Sequence, residues 1–295
     1  MSTPMTKPRS LALVTVAYVI AVAVAAGWLA WGPGTGMLWL DTLVADVLAT
    51  LVVFGFSRAY RNSSFYDAYW SVIPPLMTVY WWSQAGTPRL RCWLVTALVL
   101  VWSVRLTANW VYGFAGLNHE DWRYAMLRDG RGRGEFVVDL VGIHLIPTLQ
   151  VFAGMMPVYV CVTRPGGDIG WLTALAFAVG LAAVAFESAA DLQLHRFARH
   201  RQPGDVLDRG LWRWSRHPNY FGEFGFWVAL ALFGVAAAPG DAWWLFAGAL
   251  AMLAMLLGAS IPMMEKRSLE RRPDYQHVID RVSRFVPKPP RRAAT

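Results

Sequence analysis

Charged residues and cysteines are scarce in this chain. Only 16% of its 295 residues are charged and two are cysteines, so neither a highly charged, solvated chain nor a disulfide framework is indicated. Cys92 and Cys161 are isolated and are expected to act as small apolar residues. No group of cysteines and histidines has the spacing of a zinc site, so we predict no metal centre.

Motifs for nucleic acid and for a classical nucleotide-binding fold are also missing. The net charge is +8, but no basic helix with interleaved aromatic residues occurs, so we expect no nucleic-acid partner. Gly130, Gly132 and Gly134 resemble a dinucleotide loop only in composition, because no strand precedes them. The excess of positive charge is instead typical of cytoplasmic faces beside anionic lipid.

Apolar residues are abundant, at 56% of the chain, which is a membrane-protein composition. Eight apolar segments approach the length that crosses a bilayer. They cover residues 10–31, 37–57, 66–83, 92–114, 138–162, 169–190, 221–238 and 242–263. The third and seventh are the shortest. The sequence therefore predicts an all-α, polytopic transmembrane helical bundle of seven or eight spans, with cytoplasmic loops that form a cap over a cofactor.

The placement of lysine and arginine predicts the orientation. With the N-terminus inside, 23 of the 27 basic residues fall in cytoplasmic tails and loops. Arg89, Arg91 and Arg164 fall outside, and Arg105 lies within a span. Because positive residues collect in cytoplasmic loops, this skew predicts eight spans with both termini in the cytoplasm. We expect an integral, multi-pass protein of a bacterial inner membrane.

A polar stretch at residues 216–223 stands at the threshold of the seventh apolar segment. A residue before proline avoids helical geometry and proline fits the first helical position, so a helix is predicted to begin at Pro218. Asn219, Glu223 and Trp227 are each four residues apart and therefore share one face. The unpaired N–H groups and positive dipole end of this helix favour an anionic group such as a phosphate.

The sixth segment ends with Glu187, Asp191 and His195, which are also four residues apart and share a face. Like-signed acids one turn apart repel, and more strongly when they are desolvated. The pair therefore needs nearby cations or a polar ligand. Both a structural charge network and a ligand site remain open.

Polar residues also open the third segment and interrupt the fourth. Asp67 is a candidate catalytic acid, and Tyr66 beside it is a candidate donor to a substrate carbonyl. Ser64 and Asp67 have capping-box spacing, so a structural cap is the alternative. Arg105 and Asn109 share a helical face, and the depth of Arg105 requires an acid partner or a water-filled cavity, which favours a functional role.

The loop at residues 115–137 holds further candidates. Asp121, Arg123 and Tyr124 are possible ligands for ribose and phosphate, although a solvated charged loop is the default. His144, inside the fifth segment, is expected to be a hydrogen-bonded structural residue.

One set of motifs gathers in the second half of the chain. It comprises Asp191-Leu-Gln193, Gly210-Leu-Trp212, Arg216-His-Pro-Asn-Tyr-Phe-Gly-Glu223, and Glu265 with Tyr275 and Phe285-Val-Pro287. Together they resemble the steroid 5-alpha-reductase family and its largely uncharacterised bacterial relatives. The resemblance implies a multi-span membrane enzyme that takes NADPH on its cytoplasmic side and reduces a carbon–carbon double bond conjugated to a ketone.

The resemblance also implies roles for particular residues. Asn219 and Glu223 match the family's cofactor contacts, and Asp191 falls beside them, while Glu187 stands where the family has an asparagine. The family's substrate-polarising Glu and Tyr correspond loosely to Asp67 and to a position near Trp102. We therefore predict NADPH as the cofactor and a lipophilic, steroid-like or isoprenoid enone as the substrate, with Asp67 and Tyr66 as catalytic residues. The predicted cofactor-binding residues are Arg105, Asn109, Asp121, Arg123, Tyr124, Glu187, Asp191, Arg213, Arg216, His217, Asn219, Tyr220, Glu223 and Glu265.

Two alternatives remain open. The Arg216-His-Pro motif and the late Glu265 are also similar to those of isoprenylcysteine carboxyl methyltransferases, which implies an S-adenosylmethionine-dependent membrane methyltransferase. The third possibility is a non-enzymatic membrane component whose polar residues only hold helices together. Asn219 together with Glu223 favours the reductase. The chain divides into an N-terminal transmembrane hairpin, a reductase-like catalytic domain and a disordered basic tail, which cover residues 1–57, 58–287 and 288–295.

Overall fold

The computed structural model describes residues 5–86, 89–165, 170–202 and 204–291. These residues form helices and turns, with no strand among them. Residues 292–295 of the predicted disordered tail lie outside the described residues.

The helices follow one another along the chain with short connections. They are α1 (Lys7–Trp31), α2 (Leu38–Tyr60), α3 (Tyr69–Ala85), α4 (Leu90–Gly113), α5 (Trp122–Arg128), α6 (Gly132–Thr163), α7 (Trp171–His200), α8 (Pro218–Ala237), α9 (Pro239–Arg271) and α10 (Tyr275–Arg281). Short 3-10 turns lie at Ser63–Phe65 and Gly210–Arg213. Stretches of π-helix occur within α6 at Val138–Leu145 and within α9 at Leu256–Ser260.

Seven of the described helices, all except α3, α5 and α10, are long and apolar enough to cross a membrane. This confirms the polytopic, all-α prediction and matches the lower of the two predicted counts. Helix α3 has 17 residues and includes Pro74 and Pro75. It begins at Tyr69, three residues after the predicted start of the third segment, because a turn precedes it. The location of the termini stays a prediction.

The chain forms two compact units. Unit 1 comprises Met1–Pro88 and Val99–Thr163, and unit 2 comprises Arg89–Leu98 and Arg164–Thr295. In unit 1, α1 packs on α2 and α3 packs on α6. The predicted boundary between residues 57 and 58 stays a prediction.

Unit 2 is built around the pair α7 and α8. The two helices approach so closely that a Cβ added to Gly222 would lie 2.7 Å from the Glu187 Cβ and 2.9 Å from the Ala183 carbonyl oxygen. Gly225 packs on Ala183 in the same way, at 3.0 Å. Small residues allow such backbone contact between helices in a membrane, where burial of apolar surface gives no driving force. The close approach holds the polar ends of both helices side by side.

Candidate functional site

The start of α8 is fixed by a buried serine. The helix begins at Pro218, as the His-Pro sequence predicts. The Ser215 hydroxyl donates to the Phe285 carbonyl oxygen at 2.7 Å and accepts from the His217 N–H at 3.1 Å. The first turn of α8 is therefore bound to the segment after α10, which contains Phe285.

Arg216 connects this entrance to α9 and α10. Its Nε donates to the Glu265 carboxylate at 2.6 Å, and its Nη1 donates to the carbonyl oxygens of Ile279 at 2.9 Å and Val282 at 2.6 Å. The side chain is buried, and a buried guanidinium is tolerated only when its charge and its N–H groups are satisfied. Arg216, predicted as a cofactor ligand, thus serves at least to clamp three segments of unit 2 together.

His217 and Tyr220 form a stacked pair beside this clamp. Their ring centroids lie 5.6 Å apart with an interplanar angle of 10°, and the His217 Nε2 lies 3.4 Å from the Glu265 Oε1. Burial lowers the pKa of His217, and this effect outweighs the opposing pull of Glu265. The imidazole is therefore neutral at neutral pH and presents a flat, uncharged surface.

Asn219 and Asp191 link α8 to α7. The Asn219 side-chain amide donates to the Asp191 carboxylate at 3.1 Å. One turn further along, the buried Glu223 accepts from the Trp227 indole N–H at 2.8 Å, which shows that Asn219, Glu223 and Trp227 share the predicted face. Glu187 is buried against Gly222. The structure therefore brings together the acids of α7 and the polar residues of α8.

A cavity of about 150 Å³ opens beside these groups. Among the predicted cofactor ligands, it is lined by Arg216, His217, Asn219 and Tyr220. Trp212 and Tyr275 also line the cavity, as do Arg201 and Arg272. Burial raises the pKa of Tyr275 to about 12, so that its phenol is a hydrogen-bond donor at neutral pH. Such a mixture of aromatic surface and a few polar groups is typical of sites for small molecules.

Arg213 stands apart from this cavity. It is exposed on the turn Gly210–Arg213 and lines a second cavity, of about 300 Å³. The same turn holds Trp212, whose indole N–H donates to the Ala190 carbonyl oxygen at 3.0 Å.

A second group of predicted residues meets in unit 1. The Tyr124 hydroxyl donates to the Asp67 carboxylate, and Asp121 caps α5 while pairing with Arg123 at 2.8 Å. Burial raises the pKa of Asp67 to about 6, and the Tyr124 hydrogen bond opposes the increase. Asp67, Asp121, Arg123 and Tyr124 thus form one cluster.

The capping box predicted for Ser64 and Asp67 is absent. Helix α3 begins at Tyr69 after Ala68, with no side-chain cap. Instead, the Ser64 hydroxyl accepts from the Asp121 N–H at 3.2 Å, which ties the turn to the loop after α4. The predicted cap at the start of α3 is therefore wrong, and Asp67 is paired instead with Tyr124.

Tyr66 faces away from Asp67. It is buried, and its hydroxyl lies 2.7 Å from that of Thr148, which in turn lies 2.9 Å from that of Thr50. The two predicted catalytic residues are neighbours in sequence, but their side chains have different partners.

A different acid and phenol are directly paired in unit 1. The Tyr69 hydroxyl on α3 donates to the Asp46 carboxylate on α2 at 2.8 Å, and both side chains are buried. Asp46 lies within the second apolar segment, and nothing in the sequence indicates that it pairs with Tyr69. His144 is hydrogen-bonded, as expected: its Nε2 lies 3.0 Å from the Ser57 Oγ and its Nδ1 lies 2.7 Å from the Asp139 carbonyl oxygen.

Arg105 and Asn109 lie on the part of α4 that belongs to unit 1, and both are half-buried. The acids Glu187 and Asp191 belong to unit 2. The predicted ligand set is thus distributed over both units, with Arg105, Asn109, Asp121, Arg123 and Tyr124 in unit 1 and the remainder in unit 2.

The fold and these buried polar groups define a multi-pass, all-α membrane protein with clustered ionisable residues inside its helices. Residues 53–282 match a family described as a protein of unknown function (DUF1295), and the chain belongs to this family, which is steroid 5-alpha-reductase-like. An uncharacterised protein of Schizosaccharomyces pombe (strain 972 / ATCC 24843) is similar, with 26% identity over 266 residues, 80% of this chain and 76% of the yeast protein. No solved structure matches.

Proposed function

We propose that this protein is an integral membrane reductase that uses NADPH to reduce a carbon–carbon double bond conjugated to a carbonyl in a lipophilic substrate. The observation that supports the proposal is the hydrogen bond from Asn219 to Asp191 at 3.1 Å, beside a cavity of about 150 Å³ in unit 2. Amide, carboxylate and phenol groups around an aromatic wall suit the carboxamide and ribose of a nicotinamide nucleotide. Membership of a steroid 5-alpha-reductase-like family supports the same class of reaction.

The residues of unit 2 fit such a ligand. The flat, neutral pair of His217 and Tyr220 offers a stacking surface, and the Tyr275 phenol and the Asn219 amide offer polar contacts. The cavity has room for a ring and a sugar rather than for a whole dinucleotide. When bound, the nicotinamide supplies the hydride.

Unit 1, considered by itself, contains a buried pair of an acid and a phenol that suits a carbonyl group. Hydride addition at the β-carbon of an enone builds negative charge on the carbonyl oxygen, which a hydrogen-bond donor must stabilise. We assign this task to Tyr69: its hydroxyl has one proton to donate to the carbonyl, and a protonated Asp46 can donate to the phenol oxygen in turn. A proton from water then adds to the α-carbon, so that one hydride and one proton saturate the double bond.

Tyr69 and Asp46 are preferred to Tyr66 and Asp67 for this role. The Tyr66 hydroxyl pairs with a neutral hydroxyl, that of Thr148, whereas the Tyr69 hydroxyl pairs with an acid, and Asp67 lies in the turn before α3, paired with Tyr124. Asp46 and Tyr69 are buried on apolar helices, a setting that suits a lipophilic enone.

Ligand-dependent thermal unfolding of the purified, full-length protein tests the proposal. NADPH, NADH and S-adenosylmethionine are compared at equal concentrations in one detergent. We expect NADPH to raise the unfolding temperature most, because a ligand that binds the folded state stabilises it according to its saturation. A larger response to S-adenosylmethionine would replace reduction by methyl transfer, which also fits Arg216, His217 and Glu265. No response to any of the three would favour a non-enzymatic membrane component.

A further inference from the structure

Two buried threonines of unit 1 face each other from helices α2 and α6. The Thr50 hydroxyl lies 2.9 Å from the Thr148 hydroxyl, and both side chains are buried. A threonine within a helix commonly donates to the carbonyl oxygen four residues earlier. Several described threonines of unit 1 do so, namely Thr15, Thr42, Thr78 and Thr163. Thr50 and Thr148 instead bond to each other between two helices, so they belong to a network.

Each end of this pair reaches a tyrosine. The Thr148 hydroxyl lies 2.7 Å from the Tyr66 hydroxyl. At the other end, Thr50 lies one turn after Asp46 on the same face of α2, and its hydroxyl is a hydrogen-bond donor to the Tyr69 oxygen. Tyr69 is the phenol that binds the Asp46 carboxylate at 2.8 Å. Four hydroxyl groups of unit 1 therefore form a chain that ends at one buried acid.

The number of protons sets the direction of this chain. A hydroxyl has one proton to donate, and an ionised carboxylate has none. Tyr69 therefore donates to Asp46 and accepts from Thr50, which must in turn accept from Thr148. Tyr66 then donates to Thr148. All four O–H groups point toward Tyr69 and Asp46, and hydrogen bonds aligned in this way polarise one another.

We propose that Thr50 and Thr148 are positioning residues that strengthen Tyr69 as the hydrogen-bond donor to the substrate carbonyl. As negative charge develops on the carbonyl oxygen, the Tyr69 O–H bond is polarised and its oxygen becomes more negative. The hydrogen bond from Thr50 stabilises that oxygen, and Thr148 holds the Thr50 hydroxyl in the donating orientation. Each hydroxyl keeps its own proton in this step. The inference rests on the proposed function and deepens it.

Substitutions that keep the shape of threonine test this role in the full-length protein. Valine replaces the hydroxyl by a methyl group, and serine keeps the hydroxyl. With NADPH and cholest-4-en-3-one as the probe, Thr50→Val should lower kcat about fivefold at unchanged KM, as expected for one neutral hydrogen bond, and Thr50→Ser should restore it. Thr148→Val should lower kcat less, by about twofold. Unchanged kcat in Thr50→Val would overturn the inference.

The matched control is Thr78→Val. The Thr78 side chain is buried in the same unit, and its hydroxyl donates to the Pro74 carbonyl oxygen of its own helix at 2.9 Å. This variant should leave kcat unchanged. Tyr66→Phe should also have little effect, because Thr148 keeps its own proton for Thr50 when Tyr66 is lost.

A double variant shows whether Thr50 acts through Tyr69. In Tyr69→Phe the phenol oxygen is gone, so the addition of Thr50→Val should lower kcat no further. If the two losses multiply instead, Thr50 acts on packing independently of Tyr69, and the inference is wrong.

Infrared spectroscopy tests the hydrogen bond without any turnover. The C–O stretching band of Tyr69, assigned as the tyrosine band that Tyr69→Phe lacks, responds to donors at the phenol oxygen. Thr50→Val should shift this band, whereas Thr78→Val should not, and an unshifted band in Thr50→Val would overturn the donation from Thr50. If the wild-type protein reduces neither the probe nor other lipophilic enones, the proposed function fails and the catalytic role of the threonines fails with it. A shifted band would then still support the hydroxyl chain itself.

Discussion

The side-chain amide of Asn219 donates to the carboxylate of Asp191 at 3.1 Å and joins helix α8 to helix α7. The contact lies next to the position where Gly222 lets the two backbones meet. Because the carboxylate orients the amide, these residues act as one unit at the edge of the first cavity. Changes to either should therefore affect ligand binding more than the packing of the helices.

Replacement of Asn219 by alanine should weaken NADPH binding about tenfold. The change removes an amide from the cavity wall and leaves Asp191 without this donor, so that a less compensated negative charge stands at the edge of the cavity. Titration with NADPH measures the effect. Ser188→Ala on α7 is the control, because the Ser188 hydroxyl bonds only within its own helix, to the Val184 carbonyl oxygen at 2.6 Å. Equal losses in the two variants would point to helix packing instead.

Two substitutions of Glu223 should separate its charge from its hydrogen bond. Glutamine keeps an acceptor for the Trp227 indole N–H, whereas alanine leaves that buried donor unsatisfied, at a cost of about 1–3 kcal/mol. We expect Glu223→Ala to unfold at a lower temperature than Glu223→Gln, with both folded at room temperature. Both should bind NADPH more weakly. Unchanged NADPH affinity in both variants would remove Glu223 from the cofactor site.

Replacement of Tyr69 by phenylalanine should slow reduction without affecting NADPH binding. Loss of a donor to a developing oxyanion typically reduces a rate by about 10²–10³. The rate is measured as loss of NADPH absorbance with a panel of lipophilic enones, and NADPH binding is measured by thermal shift. Tyr66→Phe is the matched control, because it removes a hydroxyl bound to Thr148 in the same unit. A slow Tyr66→Phe beside a normal Tyr69→Phe would reverse the assignment.

Features set by local chemistry were predictable from the sequence. The spans follow from apolar segments of bilayer length, the start of α8 follows from His217-Pro218, and the shared faces follow from four-residue spacing. Each of these rests on contacts within one helix or on the solubility of a segment in lipid. The proximity of Asn219 to Asp191, by contrast, was implied only by the family resemblance, because it depends on a contact between two helices.

Features set by contacts between distant residues were not predictable. Asp46 and Tyr69 lie on helices that are apolar on nearly every face, because lipid and protein interior both favour apolar side chains. The sequence therefore does not show which neighbouring helix either side chain faces. The hydrogen bonds from Asp121 to Ser64 and from Tyr124 to Asp67 likewise join residues that are 57 positions apart, so they depend on the tertiary fold. Hydrophobic pattern carries no information about such pairings.

Arg216 should be more important for stability than for ligand contact. Its guanidinium meets one carboxylate and two carbonyl oxygens, and lysine cannot reach all three because it lacks the planar fork. We expect Arg216→Lys to lower the free energy of unfolding by about 1–3 kcal/mol, because the charge beside Glu265 is kept while buried carbonyl oxygens lose a donor. Thermal unfolding without ligand measures this, with Arg271→Gln as the control for loss of a surface arginine. A stable Arg216→Lys variant that fails to bind NADPH would instead indicate a direct contact.

Asp67 should make the stability of the protein depend on pH in a definite direction. Burial raises its pKa to about 6, above its usual value of 3.8, so between these values the folded chain holds a proton that the unfolded chain has lost. The contribution of Asp67 is therefore fully present below pH 4 and is lost as the pH rises to about 6. Asp67→Asn keeps an acceptor for Tyr124 and should be more stable than the wild type above pH 6, by about 1–2 kcal/mol after allowance for solvent screening, and equal to it near pH 4. Unfolding by denaturant at a series of pH values measures the difference, with the exposed Asp129→Asn as the control. If the free energy of unfolding varies with pH in the same way for Asp67→Asn and the wild type, burial does not raise the pKa of Asp67.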